Sequence, residues 1–119
     1  MNIGIDIIEV ARIELSHAKY GRKFLERVLT DSEIAYCLSK SNPFESIAAR
    51  FACKEAIGKA LGTGISKDFG FHSVEISNDK FGKPVVKVRG KVKGLLRKKI
   101  HLSLSHTHDY AVAVAVIEP

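Results

Sequence analysis

Two carboxylates stand where the surrounding sequence offers little water. Asp6 lies in Ile3-Gly4-Ile5-Asp6-Ile7-Ile8, a short alternating run that reads as a strand. Ile3, Ile5 and Ile7 share one of its faces; Gly4, Asp6 and Ile8 share the other. Glu55 lies in Ala49-Arg50-Phe51-Ala52-Cys53-Lys54-Glu55-Ala56-Ile57-Gly58-Lys59-Ala60. At about 100° per residue it falls on the helix face that carries Phe51, Ala48 and Ala52. A buried carboxylate needs a partner or a metal. Two oxygen donors of this kind suit a hard cation such as Mg²⁺, which takes one or two carboxylates and completes its shell with water and phosphate oxygens. Arg50, Lys54 and Lys59 supply positive charge for phosphates in the same segment. Lys59 also stands one turn beyond Glu55, the spacing of an ordinary exposed Glu–Lys pair. Gly62-Thr63-Gly64 follows; its glycines either let backbone approach a phosphate or a base, or simply stop the helix. His106 and His108 flank a turn. No Cys or third His stands near them to complete a zinc site, so a single imidazole beside a phosphate is their better functional use.

The elements that must position these groups are legible from periodicity and turn chemistry. After the first strand, Ala11 to about Ala18 reads as a short helix and Gly21 interrupts the pattern. Phe24, Leu25, Val28 and Leu29 recur at helical spacing. Thr30-Asp31-Ser32-Glu33 fits a capping box, so a new helix starts there and runs through Ile34, Cys37 and Leu38. Ser39 to Pro43 reads as a loop. The best-defined helix runs from about Glu45 to Leu61. Ser73–Ser77 and Pro84–Arg89 form a hairpin around Asn78–Lys83. Lys91–Lys99 reads as a short basic helix around Val92, Leu95 and Leu96. His101–Ser105 is a strand, His106–Asp109 a turn, and Tyr110–Ile117 the last strand. That strand sets Val112, Val114 and Val116 against Ala111, Ala113 and Ala115 on its other face, and the small face suggests that something packs closely there. Helices packed on a largely antiparallel sheet make the fold class α+β.

The 119 residues suffice for one domain spanning 1–119. With 45% hydrophobic and 27% charged residues the chain is an ordinary globular protein rather than a disordered one. No apolar run approaches a membrane span. The start, Met1 to Asp6, lacks a basic region and carries an acid early, which argues against a secretory signal and for the cytoplasm. Cys37 and Cys53 form no CxxC pair and read as buried thiols. The net charge of +6 is uneven: Lys80 to Lys99 holds nine basic residues and no acid, whereas the rest holds ten against thirteen acids, a net of −3. That segment is either a solvated face or a patch for a polyanion.

Three blocks together resemble the holo-acyl-carrier-protein synthases, small 4′-phosphopantetheinyl transferases. Gly4 to Ile13 is similar to the family's N-terminal G-x-D segment with its following Arg. Phe24 to Glu33 is similar to F-x-x-R-[IV]-[FL]-[ST]-x-x-E. Arg50 to Gly64 is close to R-[FW]-A-x-K-E-A-x-x-K-A-x-G-T-G. Gly82-Lys83-Pro84 and Ser103-Leu104-Ser105-His106 also fall in family order. Cys53, where small residues such as Ala are usual, and the basic 80–99 stretch depart from the pattern.

The resemblance implies a phosphopantetheinyl transferase-like fold. The activity it implies is transfer of 4′-phosphopantetheine from coenzyme A to a serine of apo acyl carrier protein, for fatty acid biosynthesis. It implies Asp6 and Glu55 as Mg²⁺ ligands, and Lys59 as a catalytic cation on the pyrophosphate. It further implies Arg50, Lys54, Gly62, Thr63, Gly64 and His106 around coenzyme A. Arg12 matches the family's carrier-protein docking position, with Arg22, Lys23 and Arg27 in the same region, and family members are typically homotrimers with active sites between subunits, which would make the alanine face of the last strand interface packing. The base for the serine proton stays open between Glu55 and a water it holds. Two other readings use the same residues: a polyanion binder acting through Lys80–Lys99, whose binding would be steeply salt-dependent and survive loss of Asp6 and Glu55, and a metal-dependent phosphohydrolase needing no protein acceptor.

Overall fold

The computed structural model describes all 119 residues. Strand β1 (Asn2–Glu9) leads into helices α1 (Val10–Tyr20), α2 (Arg22–Val28), α3 (Asp31–Leu38) and α4 (Pro43–Leu61). Strands β2 (Val74–Asn78), β3 (Pro84–Val88), β4 (Lys99–His106) and β5 (Tyr110–Glu118) follow. One sheet has the order β1-β5-β4 and the other is the β2-β3 hairpin; every pairing is antiparallel. The architecture is α+β, as the patterning predicts.

Helix α4 is the centre of the molecule. Eleven of its nineteen residues are buried, which is possible because most are Ala, Gly or Ile and let neighbours approach from all sides. Its Pro43 occupies the first turn, where a missing N–H costs nothing, so the helix begins inside the expected loop. It ends at Gly62, in the left-handed conformation at φ 84°. The capping box at α3 is present in both directions: Thr30 Oγ1 accepts from Glu33 N, and Glu33 Oε1 accepts from Thr30 N.

The three-stranded sheet lies on α4 through its small face. Ala111, Ala113 and Ala115 are fully buried, and Ala113 pairs with Asp6 across the β1–β5 ladder. This corrects the expectation that the alanine face packs at a subunit interface: its close packing is against the chain's own helix. Gly4 makes the same contact on β1. A Cβ built there would stand 2.0 Å from the Ala56 carbonyl oxygen and 2.5 Å from the Ala60 nitrogen, so only glycine lets β1 lie this close to α4. The opposite sheet face is the open one. Ile3, Ile5 and Ile7 are 67%, 58% and 64% exposed, and half-buried Val112, Val114 and Val116 extend the same apolar stripe.

The segment expected as a basic helix is not one. Leu95 N bonds the Val92 carbonyl and Lys98 N that of Leu95, giving successive turns rather than an i→i−4 ladder. Gly94 (φ 90°) and Arg97 (φ 58°) lie in the left-handed region, which no right-handed helix admits. Val92 and Leu95 are nonetheless buried, so helical spacing here reports a turn pinned to the core.

Candidate active site

Asp6 projects from the α4 face of β1, and Glu55 from α4 itself, into one cleft of about 400 Å³. Arg12, Ile13 and Ser16 of α1, with Phe24 and Phe51, line the rest. Glu55 is half-buried, and desolvation first, then the neighbouring Asp6 carboxylate, push its pKa above the usual carboxylate value, with Lys59 opposing. Lys59 Nζ stands 3.0 Å from Asp6 Oδ1. The helical Glu55–Lys59 spacing therefore does not produce the expected i,i+4 pair: the lysine ties helix to strand. Ser16, Phe24 and Phe51 also line a second cleft of about 450 Å³, so the two run into one another. This extension is walled by Tyr20, Val28, Phe51 and Phe71, with the Phe51 and Phe71 rings 5.2 Å apart, and Lys23 and Arg27 stand at its rim. Arg22 is exposed beside them and pairs with Glu26 at 3.8 Å.

The residues expected around a nucleotide are not brought together. Lys54 is fully buried, and its ammonium donates to Glu33 Oε1 (2.6 Å), the Phe71 carbonyl (2.6 Å) and the Val28 carbonyl (2.9 Å). All three protons are used inside the protein, which corrects its assignment to coenzyme A. Burial pulls its pKa below the ordinary lysine range, and Glu33 opposes this. Arg50 is also buried. It stacks on Tyr36 at 4.2 Å and donates to Asn78 Oδ1 at 2.9 Å, leaving its Nε without a partner in a small cavity of about 110 Å³. Gly62, Thr63 and Gly64 fold back on the end of α4: Gly64 N bonds the Gly58 carbonyl and Thr63 Oγ1 the Gly64 carbonyl. His106 lies near the other end of α4, its Nδ1 3.1 Å from Glu45.

Two features escaped the sequence. The aromatic cleft joins Phe24, Phe51 and Phe71 from three separate stretches, and no periodicity links them. Glu45 is 61 residues from its imidazole partner. Cys37 and Cys53 are free and buried, as expected, with burial pushing their thiols up to about 11 and about 12. The basic 80–99 residues lie on the β2–β3 hairpin, the turns after it and the start of β4, none of them among the residues lining these clefts.

Comparison with known proteins decides between the readings open to such a cleft. The family model "ACPS: 4′-phosphopantetheinyl transferase superfamily" matches residues 2–115. The chain belongs to that family. It is 56% identical over 119 residues to a holo-[acyl-carrier-protein] synthase of Chloroherpeton thalassium, covering 100% of this chain and 98% of the relative. One from Chlorobaculum tepidum is 47% identical over 119 residues, with 100% and 99% covered. Among solved structures, the Helicobacter pylori holo-[acyl-carrier-protein] synthase in complex with coenzyme A superposes with a TM-score of 0.87 at 38% identity, covering 98% of this chain and 99% of that one. The Neisseria meningitidis enzyme gives 0.88 at 33%, covering 99% and 98%. No helix is long and apolar enough to cross a membrane.

Proposed function

We propose that this chain is a holo-[acyl-carrier-protein] synthase, and that the Asp6–Glu55–Lys59 cleft is where it transfers 4′-phosphopantetheine from coenzyme A to a serine of apo acyl carrier protein. The serine Oγ attacks the pantetheine-bearing phosphorus. The bond from that phosphorus to the bridging oxygen breaks, and adenosine 3′,5′-bisphosphate leaves with the electron pair. The observation that carries this reading is the convergence of two carboxylates and an exposed ammonium on a cleft that opens into an apolar groove rimmed by cations.

The donor set fits Mg²⁺. Asp6 and Glu55 offer only oxygen, and two carboxylates are as many as this ion usually takes. Burial first, and then the neighbouring Asp6 carboxylate, raise the Glu55 pKa, and a divalent cation between the two carboxylates would relieve that repulsion. When bound, Mg²⁺ supplies Lewis-acid polarisation of the pyrophosphate. Lys59 is 52% exposed on a flexible stem, so it can leave Asp6 for the pyrophosphate and meet charge developing on the leaving group. Glu55 would take the serine proton, directly or through a water it orients. Arg12 lines the same cleft, and Lys23, Arg27 and exposed Arg22 extend a cationic margin suited to an acidic carrier protein.

The proposal extends to assembly. Glu45 and Glu55 are ten residues apart on α4, roughly 15 Å along its axis. One copy therefore holds His106 and the carboxylates at separate stations. Exposed Ile3, Ile5 and Ile7 make an apolar stripe of the kind a second copy covers. On the family resemblance, the proposed assembly is a homotrimer in the cytoplasm. Intact-protein mass spectrometry tests the function: the protein is mixed with apo acyl carrier protein, coenzyme A and Mg²⁺. A gain of one phosphopantetheine arm, lost with EDTA or in Glu55→Ala, is expected; no gain on a competent acceptor overturns the reading.

A further inference from the structure

Of the two lysines on α4, Lys59 is exposed and Lys54 turns inward to full burial. The Lys54 ammonium reaches three other parts of the chain. It donates to the Val28 carbonyl at the end of α2 (2.9 Å), to the Phe71 carbonyl in the turn before β2 (2.6 Å) and to Glu33 Oε1 on α3 (2.6 Å). Glu33 carries the tie further, because Oε1 also accepts from Thr30 N and Oε2 from Ile76 N of β2. Val28 and Phe71 are walls of the apolar groove, and Phe51, three residues before Lys54 on α4, is another. One buried ammonium therefore bonds the backbone of two groove walls and is mounted on the helix that carries a third.

Stability alone gives no reason for an ion pair here. Burying two charges costs desolvation that their attraction offsets only with good geometry, and well-packed apolar residues of similar volume hold a core as well or better. What apolar residues lack is direction. Val28 is the last residue of α2, so its carbonyl finds no partner within the helix. Phe71 lies outside every strand and helix, in a turn closed by Ser73 N on the Gly70 carbonyl. Both walls take their register from the same Nζ, and the Phe51 and Phe71 rings stand 5.2 Å apart beside them. Walls fixed on folding need no ordering on binding, which raises affinity without adding a contact. Lys23 and Arg27 at the rim suit a partner that sets apolar side chains beside acids, as an acidic helical protein does.

We infer that Lys54, together with Glu33, is a positioning residue for carrier-protein recognition: it holds the Val28 and Phe71 walls against α4 so that the apolar groove is already shaped when the acidic partner arrives. The inference rests on the transferase reading above, and it gives a role in binding to two residues that touch no substrate.

Kinetics and a substrate-free geometric readout test it on the full-length protein, at low temperature where the variants stay folded. Lys54→Met is expected to raise the KM for apo carrier protein about tenfold, with kcat and the KM for coenzyme A within about twofold. Ile117→Ala is the control: its side chain is buried under the sheet and does not line the groove, and the cavity it leaves lowers stability comparably. That variant should keep the wild-type KM for carrier protein. Lys54→Met/Glu33→Gln leaves no lone buried charge, so it should regain part of the lost stability while keeping the raised KM, and it serves if Lys54→Met fails to fold. A KM that recovers along with stability, or that rises equally in Ile117→Ala, overturns the inference and leaves the pair a structural tie. So does a rise confined to the KM for coenzyme A. Nuclear Overhauser contacts between the Phe51 and Phe71 rings need no substrate; they should be present in wild type and Ile117→Ala and weakened in both Lys54 variants. A wild type that modifies no competent acceptor sinks the transferase reading instead. The ring contacts then decide the positioning role alone, and contacts unchanged in the Lys54 variants overturn it.

Discussion

Lys59 Nζ lies 3.0 Å from Asp6 Oδ1, although Glu55 stands on the same helix one turn earlier. The choice follows from geometry. Gly4 lets β1 press against α4, and the strand's inward face then carries Asp6 up to the helix. One ammonium and two carboxylates occupy this edge of the cleft, so the charges there are net negative before any cation or phosphate arrives.

Lys59→Ala should therefore separate catalysis from folding. The pair it breaks is half-exposed on the lysine side, so stability should change by less than about 1 kcal/mol. Loss of a cation that meets developing charge should lower kcat by about 10²–10³. Thermal melts alongside initial rates of carrier-protein modification read both quantities. A large melting shift with near-normal kcat would move Lys59 from the chemistry to the scaffold.

Glu55→Gln should abolish transfer yet stabilise the metal-free protein at neutral pH. The folded pKa of Glu55 is raised above its ordinary 4.5, so between 4.5 and the raised value the folded state holds more protons than the unfolded chain. Stability from this group is then full below pH 4.5 and falls as pH rises through that window. Glutamine removes the loss. Because the group is partly exposed, the gain at pH 7 should be under about 1 kcal/mol, and it should vanish below pH 4.5. Mg²⁺ should raise the melting temperature of wild type and leave the variant nearly unmoved. A variant less stable than metal-free wild type at pH 7 would contradict the cost of ionising Glu55 in its half-buried place beside Asp6.

How much of this was legible in the residues depends on the range of the interaction. The Thr30–Glu33 capping box and the hairpin are set within a few residues, and sequence spacing locates them. Asp6 and Glu55 were recognisable because a carboxylate in an apolar pattern is a local anomaly. Lys54 was misread for the complementary reason. Its motif neighbours place it beside Glu55, but its rotation about the helix axis turns it into the core, toward a glutamate 21 residues away. The alanine face of β5 showed that something packs closely without showing what. Charge and spacing alone made Lys91–Lys99 look helical, while Gly94 and Arg97 had already committed the backbone to turns.

Gly4→Ala should push the first strand off the central helix. The new Cβ would meet two backbone atoms of α4, at 2.0 Å and 2.5 Å, and backbone cannot rotate away as a side chain can. Overpacking of this kind costs about 1–3 kcal/mol. Because Asp6 rides on the same strand, affinity for Mg²⁺ should fall along with stability. Chemical denaturation with and without Mg²⁺ checks both, and an alanine variant with wild-type stability would show that the strand can slide without cost.

Lys54→Met should strongly destabilise the protein without touching coenzyme A recognition. Glu33 accepts from Thr30 N and Ile76 N as well as from Lys54, so it stays buried with its ion-pair partner gone when the lysine is removed. Breaking one side of a buried pair costs about 3–5 kcal/mol. At low temperature, where the folded fraction is still large, the KM for coenzyme A should equal that of wild type. A selective rise in that KM would return Lys54 to the substrate site.

Ile5→Lys tests the assembly. Ile5 sits mid-strand on the open face of β1, 58% exposed and paired across the ladder with Val114, so a lysine there costs a lone chain almost nothing. In an assembly seated on that face, the ammonium would be buried against a second copy's apolar surface, with the acids of the face, Glu9 and Glu118, only at the ends of the stripe. The variant should therefore keep its circular dichroism and melting behaviour while light scattering shows a monomer in place of the proposed trimer. If the active site draws on two copies, transfer should collapse with the assembly, and at limiting subunit concentrations wild-type activity per subunit should itself fall on dilution. A monomeric Ile5→Lys protein with full activity would place every catalytic group in one chain, and a variant that remains trimeric would move the interface to another face.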